Sequence, residues 1–352
     1  MRILIYIIVI FALVGTFFWR FNQKTPQKNP QKTSVQSAAV ENNPSPFETY
    51  IFVPYWTIDK DVSFTPYENL IYFGVSVNQS GVDHEDQGYK ALPSFLKEVG
   101  SKKSYLAVRM LNQDANLAIL KDRVLQDKIA TEAVHIAREN NFSGIILDFE
   151  TQGLPFESFI KSITSLNSLF AQKAHGQKLS FGTLVYGDVF YRIRPFDVES
   201  IAKSSDRVFV MAYDFSKAKG DPGPNFPLDD KKTYGYDFKT MVSDYGKVVP
   251  KNKLSFIFGM FGYDWIIDAK NQTKGTADSK STLGFEQFLG QCVPANSCKV
   301  ENNDGYGVKI SYDKDQENHL IFFETNESVA KKKEYLNSQG LNSFGYWAYS
   351  FF

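Results

Sequence analysis

The sequence predicts an α/β chain whose strands close into a (β/α)8 barrel, the TIM architecture, with a small α+β insertion between the seventh strand and the helix that follows it. Three observations lead there. Eight short apolar runs alternate with stretches of helical periodicity, which gives a parallel sheet whose strand count suits closure. Polar and aromatic residues collect at the C-terminal ends of those runs, where barrel proteins build their sites. The first run leads into Pro54-Tyr55-Trp56-Thr57, unlike the glycine-rich phosphate turn of a doubly wound open sheet.

The chain opens on a continuous apolar run, Ile3 to Trp19, flanked by Arg2 and Arg20. It is just long enough to span a bilayer as a helix, and Phe17-Phe18-Trp19-Arg20 is unlike the small-residue site at which a secretory signal is cut. Residues 1–20 are therefore expected to form a transmembrane anchor, with a cleaved signal segment as the alternative. Arg20, Lys24, Lys28 and Lys32 follow the run, and on the positive-inside rule they oppose export of what comes after it. Residues 21–47, rich in Gln, Asn, Lys, Ser and Pro, read as a solvated linker. The barrel is expected over 48–352, with its insertion at about 266–325.

Within the barrel, strands are predicted at Tyr50–Pro54, Leu70–Val77, Ser104–Arg109, Ser143–Phe149, Leu179–Val185, Arg207–Ala212, Leu254–Phe258 and Ser343–Ala348. Helices are predicted at Leu92–Val99, Gln126–Asn140, Pro155–Ala174, Tyr236–Tyr245 and Ser328–Gln339. The long interval between the seventh strand and the last helix breaks the alternation. It contains two runs, Gly307–Tyr312 and His319–Phe323, joined as a hairpin through Asp313–Asn318. In a barrel this insertion rises from the face that carries the site, and so walls one side of a cleft.

Bulk composition narrows the chemistry. Lysine plus arginine equals aspartate plus glutamate at 39 each, so no global field draws the chain to nucleic acid. The four histidines, His84, His135, His175 and His319, are scattered, and the two cysteines lie in one polar stretch, so neither a metal site nor a cofactor is expected. Cys292 and Cys298 pair as a short disulfide in an oxidising compartment and are free thiols otherwise. Tyr and Phe are abundant, which suits both a large core and a ligand with flat apolar faces, such as a sugar.

The fourth strand carries the candidate chemistry. Ile145, Ile146, Leu147 and Phe149 make it apolar, while Asp148 and Glu150, two apart, share one side of it. Two carboxylates on one face of an apolar strand repel each other and resist burial, so at least one holds a raised pKa, as a general acid requires. Further polar and aromatic residues end other strands: Tyr55 and Trp56 the first, Tyr213 and Asp214 the sixth, Tyr263, Asp264 and Trp265 the seventh, Trp347 the eighth. Any one of these could be a rim residue satisfied by a neighbouring loop. Their convergence on five strand ends points to a site.

Four segments, in order, resemble glycoside hydrolase family 18, the chitinase-like enzymes. Ser143-Gly144-Ile145-Ile146-Leu147-Asp148-Phe149-Glu150 is similar to the family's DGxDxDxE strand, and Met211-Ala212-Tyr213-Asp214 to its MxYD. Gly259-Met260-Phe261-Gly262-Tyr263-Asp264-Trp265 and Gly345-Tyr346-Trp347 resemble its seventh and eighth strand endings. The segment Phe323–Val329 and the lysine-rich helix after it look most like bacterial cell-wall and spore-cortex members. The resemblance implies a retaining, substrate-assisted mechanism in which the sugar's own 2-acetamido group is the nucleophile. Glu150 is then the acid and base, and Asp148 the partner of the acetamido N–H. Tyr213 steadies the acetamido carbonyl and Asp214 helps to keep Glu150 protonated. Trp347 forms the sugar floor, with Tyr55, Trp56, Met211, Tyr263 and Trp265 as further binding residues. The implied partner is an N-acetylglucosamine-containing glycan, met by a monomer tethered outside the cytoplasmic membrane, with peptidoglycan preferred over chitin.

Two positions depart from the family pattern. Its first aspartate is Ser143 here, and its inner aspartate, the residue that shares a proton with Asp148, is Ile146. An aliphatic side chain there leaves Asp148 ionised throughout on this reading. It also motivates a second expectation, a carbohydrate-binding protein on the same fold without turnover, against which the retained Glu150 argues. A third reading is a barrel hydrolase acting on other glycans.

Overall fold

A computed structural model describes residues 47–352 apart from 59–62, 65–66 and 304–306. The apolar run Ile3–Trp19 and the linker up to residue 46 lie outside the described residues. Among the described residues no helix is long and apolar enough to cross a membrane.

Eight parallel strands form the barrel: β1 (Glu48–Pro54), β2 (Asn69–Asn78), β3 (Lys103–Met110), β4 (Gly144–Phe149), β5 (Ser180–Tyr186), β6 (Arg207–Ala212), β7 (Leu254–Gly259) and β8 (Ser343–Trp347). Each pairs with its sequence neighbours, and β1 pairs with both β2 and β8, which closes the sheet. The strand pattern explains the closure. In β4, Ile145, Leu147 and Phe149 pack outward with Ile129, Ala133, Ile163 and Leu166 of the surrounding helices, while Ile146 points into the barrel. In β6, Val208, Val210 and Ala212 face out, and Phe209 and Met211 face in beside Tyr50, Phe52 and Phe73. Alternation thus feeds two cores from each strand, and each fully buried large apolar side chain contributes about 1.5–3 kcal/mol.

Helices Gln87–Val99, Arg123–Glu139, Glu157–Gly176, Phe238–Val248 and Asn326–Ser338 cover the barrel, within a few residues of the predicted spans. Asp86, Asp122 and Asp237 cap three of them by accepting backbone N–H groups, and Thr325 with Ser328 forms a reciprocal capping box. Helices Gln113–Lys121 and Val198–Ser204 are additional to the prediction.

The insertion is a five-stranded antiparallel sheet, and it begins at Phe261 rather than near residue 266. The chain leaves β7 at Gly259 and immediately starts strand Phe261–Ile267, which pairs with Asp278–Ser281 on one side and Glu317–Phe323 on the other. Gly262 permits that pairing, because a Cβ there would stand 2.1 Å from the Phe322 carbonyl oxygen. The hairpin Gly307–Lys314/Glu317–Phe323 turns at Asp315 and Gln316, and Cys298–Asn303 forms the sheet edge. Helix Thr282–Cys292 packs Phe285 against Ile310, Ile321 and Phe323. Cys292 and Cys298 form a disulfide that ties the end of this helix to the edge strand, with Cα atoms 5.5 Å apart.

Candidate active site

The C-terminal ends of the strands surround one mouth, and the carboxylates sit at its base. Asp148 is 2% exposed and its Oδ1 has no hydrogen-bond partner in the protein. Burial, then the neighbouring Glu150 charge, push its carboxyl well above the usual range, and the nearby Arg109 guanidinium only partly opposes them. With Ile146 in place of a carboxylate no inner acid shares this proton, yet desolvation alone already makes the Asp148 carboxyl hold a proton more tightly than a free one does. Ile146 itself is enclosed in the barrel core, with Gly182 and Phe209 beside it.

Glu150 lies one residue beyond β4, its N–H donating to the Met110 carbonyl at 2.9 Å. Its carboxyl is also held above the ordinary range, by burial first and by the Asp214 charge. The Tyr186 hydroxyl opposes this by donating to Glu150 Oε2 at 3.1 Å, and Lys217 and Arg194 act in the same direction as Tyr186. Both acids of the pair therefore hold protons more tightly than free carboxylic acids do.

Asp214 has a left-handed backbone, φ 55°, a conformation that aspartate tolerates better than most residues. Its N–H donates to Asn225 Oδ1 at 2.8 Å, and Asn225 Nδ2 donates to the Gly259 carbonyl, so the loop after β6 is latched to the end of β7. Its carboxylate accepts from the Tyr263 hydroxyl at 2.7 Å, which lowers a pKa that burial raises. Tyr263 thus reaches the site from the insertion, not from the end of β7.

Aromatic rings form the remaining wall. Trp347, at the end of β8 and followed by a cis peptide to Ala348, lies against Phe73 at 4.6 Å and Tyr213 at 6.4 Å between centroids. Trp56, 53% exposed, stands over Trp347 at 6.4 Å, and Tyr55 packs on Trp56. Met211 is buried in the barrel beneath them. Trp265 has no surface to offer a ligand: it is fully enclosed between Tyr263 and Phe322, with Ala218 of the loop after β6 against the cluster. Its strand is paired on both edges, which makes it an anchor of the insertion's core. Asp264, on the other face, accepts from Tyr312 and meets His319 at 3.0 Å.

Four residues of the mouth were not picked out by sequence reasoning. Tyr186 closes β5 and Arg109 stands at the end of β3, directly opposite Asp148 in register, so the strand-end rule that found Tyr213 would also have found them. Arg109 rests on the Tyr55 and Phe73 rings at 5.3 Å. Arg194 and Lys217 come from loops and carry no local signal.

The family model for glycosyl hydrolases family 18 matches residues 39–351. The chain belongs to glycosyl hydrolase family 18. It is 21% identical over 247 residues to the cortical fragment-lytic enzyme of Bacillus anthracis, a match covering 66% of this chain and 52% of that protein. The chain spans about half the length of the curated relatives it matches. The crystal structure of a group IV chitinase from Ostrinia furnacalis superposes with a TM-score of 0.71 at 17% identity, covering 86% of this chain and 92% of that one. The spore cortex-lytic enzyme SleL of Bacillus cereus superposes at 0.68 with 16% identity, covering 87% and 71%. The family 18 fold is thus shared with chitinases and with cortex-lytic enzymes alike.

One prediction concerns the Tyr186 hydrogen bond. A donor to the charged carboxylate stabilises it, so Tyr186→Phe raises the pKa of Glu150 further. The alkaline limb of kcat/KM then moves to higher pH while the folded structure is kept. A pH profile of wild type and variant on one glycoside substrate checks this, and an unmoved or acid-shifted limb contradicts it.

Proposed function

We propose that this family 18 member is a glycosidase that cleaves β-1,4 linkages after N-acetylglucosamine, in peptidoglycan before chitin, with the sugar's acetamido group as nucleophile. One observation carries the reading: a half-buried Glu150 whose proton is held above its ordinary range stands beside Asp148, which presents an unpartnered carboxyl oxygen. Glu150 gives its proton to the glycosidic oxygen as the acetamido carbonyl oxygen attacks C1 and the C–O bond breaks. The carboxylate then takes a proton from water, which adds to C1 and opens the oxazolinium with retention. Asp148 accepts the acetamido N–H, the Tyr213 hydroxyl donates to the acetamido carbonyl, and Trp347 stacks under the ring. Asp214, held by Tyr263, raises the pKa of Glu150 by its charge.

Peptidoglycan is placed first because the family relatives named above include cortex-lytic enzymes, and because the run Ile3–Trp19 suits an anchor that holds the barrel outside the membrane near the wall. The Cys292–Cys298 bond suits an oxidising compartment. Ile146 favours a second reading, a glycan-binding protein without turnover.

The test is to digest peptidoglycan and chito-oligosaccharides, reduce the new ends with borohydride and identify the sugar alcohol by mass spectrometry. Glucosaminitol is the expected product from both. Muramitol alone, or no new ends from either substrate, overturns the reading, and tight binding without turnover replaces it with the second.

A further inference from the structure

One face of the site is charged in a way that a neutral polysaccharide does not require. A groove of about 840 Å³ begins at Thr151, Gln152 and Gly153, the residues directly after Glu150. It runs between the loops that follow β5 and β6, and Arg192, Arg194, Lys217 and Lys219 line it. Among the lining residues these four cations meet one carboxylate, Asp221, while the buried Asp188 binds both guanidinium groups from behind and Glu150 and Asp214 lie within reach of Lys217 at the inner end. The chain as a whole is neutral, which makes this a local excess of positive charge.

The cations are positioned differently. Arg194 spends Nε and Nη2 on Asp188 and stacks at 4.0 Å over Tyr186, the tyrosine that donates to Glu150. Arg192 donates to Asp188 and to the Phe215 carbonyl. These two form a rigid bed, because a bidentate arginine has little freedom left. Lys217 and Lys219 make no ion pair with any carboxylate among the described residues. Lys217 lies close enough to stabilise the Glu150 and Asp214 carboxylates electrostatically.

We propose that this groove recognises carboxylates borne by the sugars on one side of the scissile bond, so that the preferred substrate is an anionic amino-sugar glycan, not a neutral one. This rests on the glycosidase reading of Glu150. The carboxylate has two sources: a lactyl ether on the sugar itself, free in strands stripped of peptide, or the carboxylates of attached peptides.

The experiment compares three oligosaccharides of equal length: neutral N-acetylglucosamine oligomer, alternating glycan with free lactyl groups, and the same glycan carrying peptides. Turnover is measured with the wild type, and binding with Glu150→Gln, each at low and high salt. Turnover of the neutral oligomer establishes the glycosidase reading by itself. The inference then expects at least one carboxylated glycan to bind more tightly at low salt, an advantage that shrinks as salt rises. Lys219→Glu in the Glu150→Gln background lowers that affinity about fivefold, the size of an exposed ion pair, and leaves the neutral oligomer unchanged. Lys217→Gln gives a second reading at an exposed position. Whichever carboxylated glycan responds identifies the source. Equal affinity for all three, or a loss that is the same for neutral and carboxylated glycans, overturns the proposal even when the enzyme turns over. No turnover of any glycan overturns the glycosidase reading and the proposal with it.

Discussion

With Glu150 as the general acid of the proposed glycosidase, Glu150→Gln is expected to reduce kcat on N-acetylglucosamine oligomers by about 10²–10⁴, the usual contribution of a positioned general acid. The amide is nearly isosteric and still accepts from Tyr186, so the cleft keeps its shape, but it has no proton to give the glycosidic oxygen. The loss is expected in kcat with KM little changed, because the interaction removed is made in the transition state. The same substitution acts oppositely on stability. A carboxyl whose folded pKa is raised binds its proton more tightly in the folded state, so stability is greatest below the ordinary glutamate range. It is lost as pH rises through the interval up to the raised value. Glutamine has no such cost, and the variant therefore gains stability relative to wild type above the ordinary glutamate range and gains none below it. Thermal unfolding of both proteins across pH checks this, alongside single-turnover kinetics. A variant that is inactive and also less stable at neutral pH would mean that the cleft collapses, and would remove the kinetic argument.

That opposition between activity and stability was partly visible in the sequence. Alternation put Asp148 and Glu150 on one side of an apolar strand, and the structure raises both carboxyls. The strand ends were legible because period-2 patterning and barrel closure are both properties of the local chain. What escaped depends on distant partners. Phe261–Ile267 reads as a continuation of β7, since its identity as a separate strand comes from pairing with Glu317–Phe323, about fifty residues on. Trp265 looked like a ligand-facing aromatic for the same reason, because nothing in its neighbourhood announces the ring of Phe322 and the Ala218 loop that enclose it. Helix Gln113–Lys121 is brief and is followed directly by the next helix, with Asn112 and Asp122 as successive caps, so polar residues that punctuate helices disguise it as a loop. The charged groove is built from loops, where no periodicity operates.

A buried ion pair fastens the insertion to the barrel. Lys332 is fully enclosed and Glu324 is 2% exposed, and the lysine Nζ donates to Glu324 Oε2. Ser328 satisfies the other carboxylate oxygen, and the Glu324 carbonyl accepts from Thr282 at 2.7 Å. Glu324 lies just past the last insertion strand and Lys332 in the middle of helix Asn326–Ser338, so the pair joins the two. Lys332→Met keeps most of the side chain's volume beside Phe238 but leaves a buried carboxylate without its counter-charge. Removing one partner of such a pair costs about 3–5 kcal/mol, far more than the pair contributes against an apolar replacement of both. Equilibrium urea unfolding should therefore show both Lys332→Met and Glu324→Gln strongly destabilised, the first leaving a buried carboxylate and the second a buried ammonium without its counter-charge. The double variant Glu324→Gln/Lys332→Met recovers much of the loss, because no charge remains to be desolvated. A double variant as unstable as the sum of the two single changes would show that the residues act through separate contacts and that the pair does not fasten the insertion.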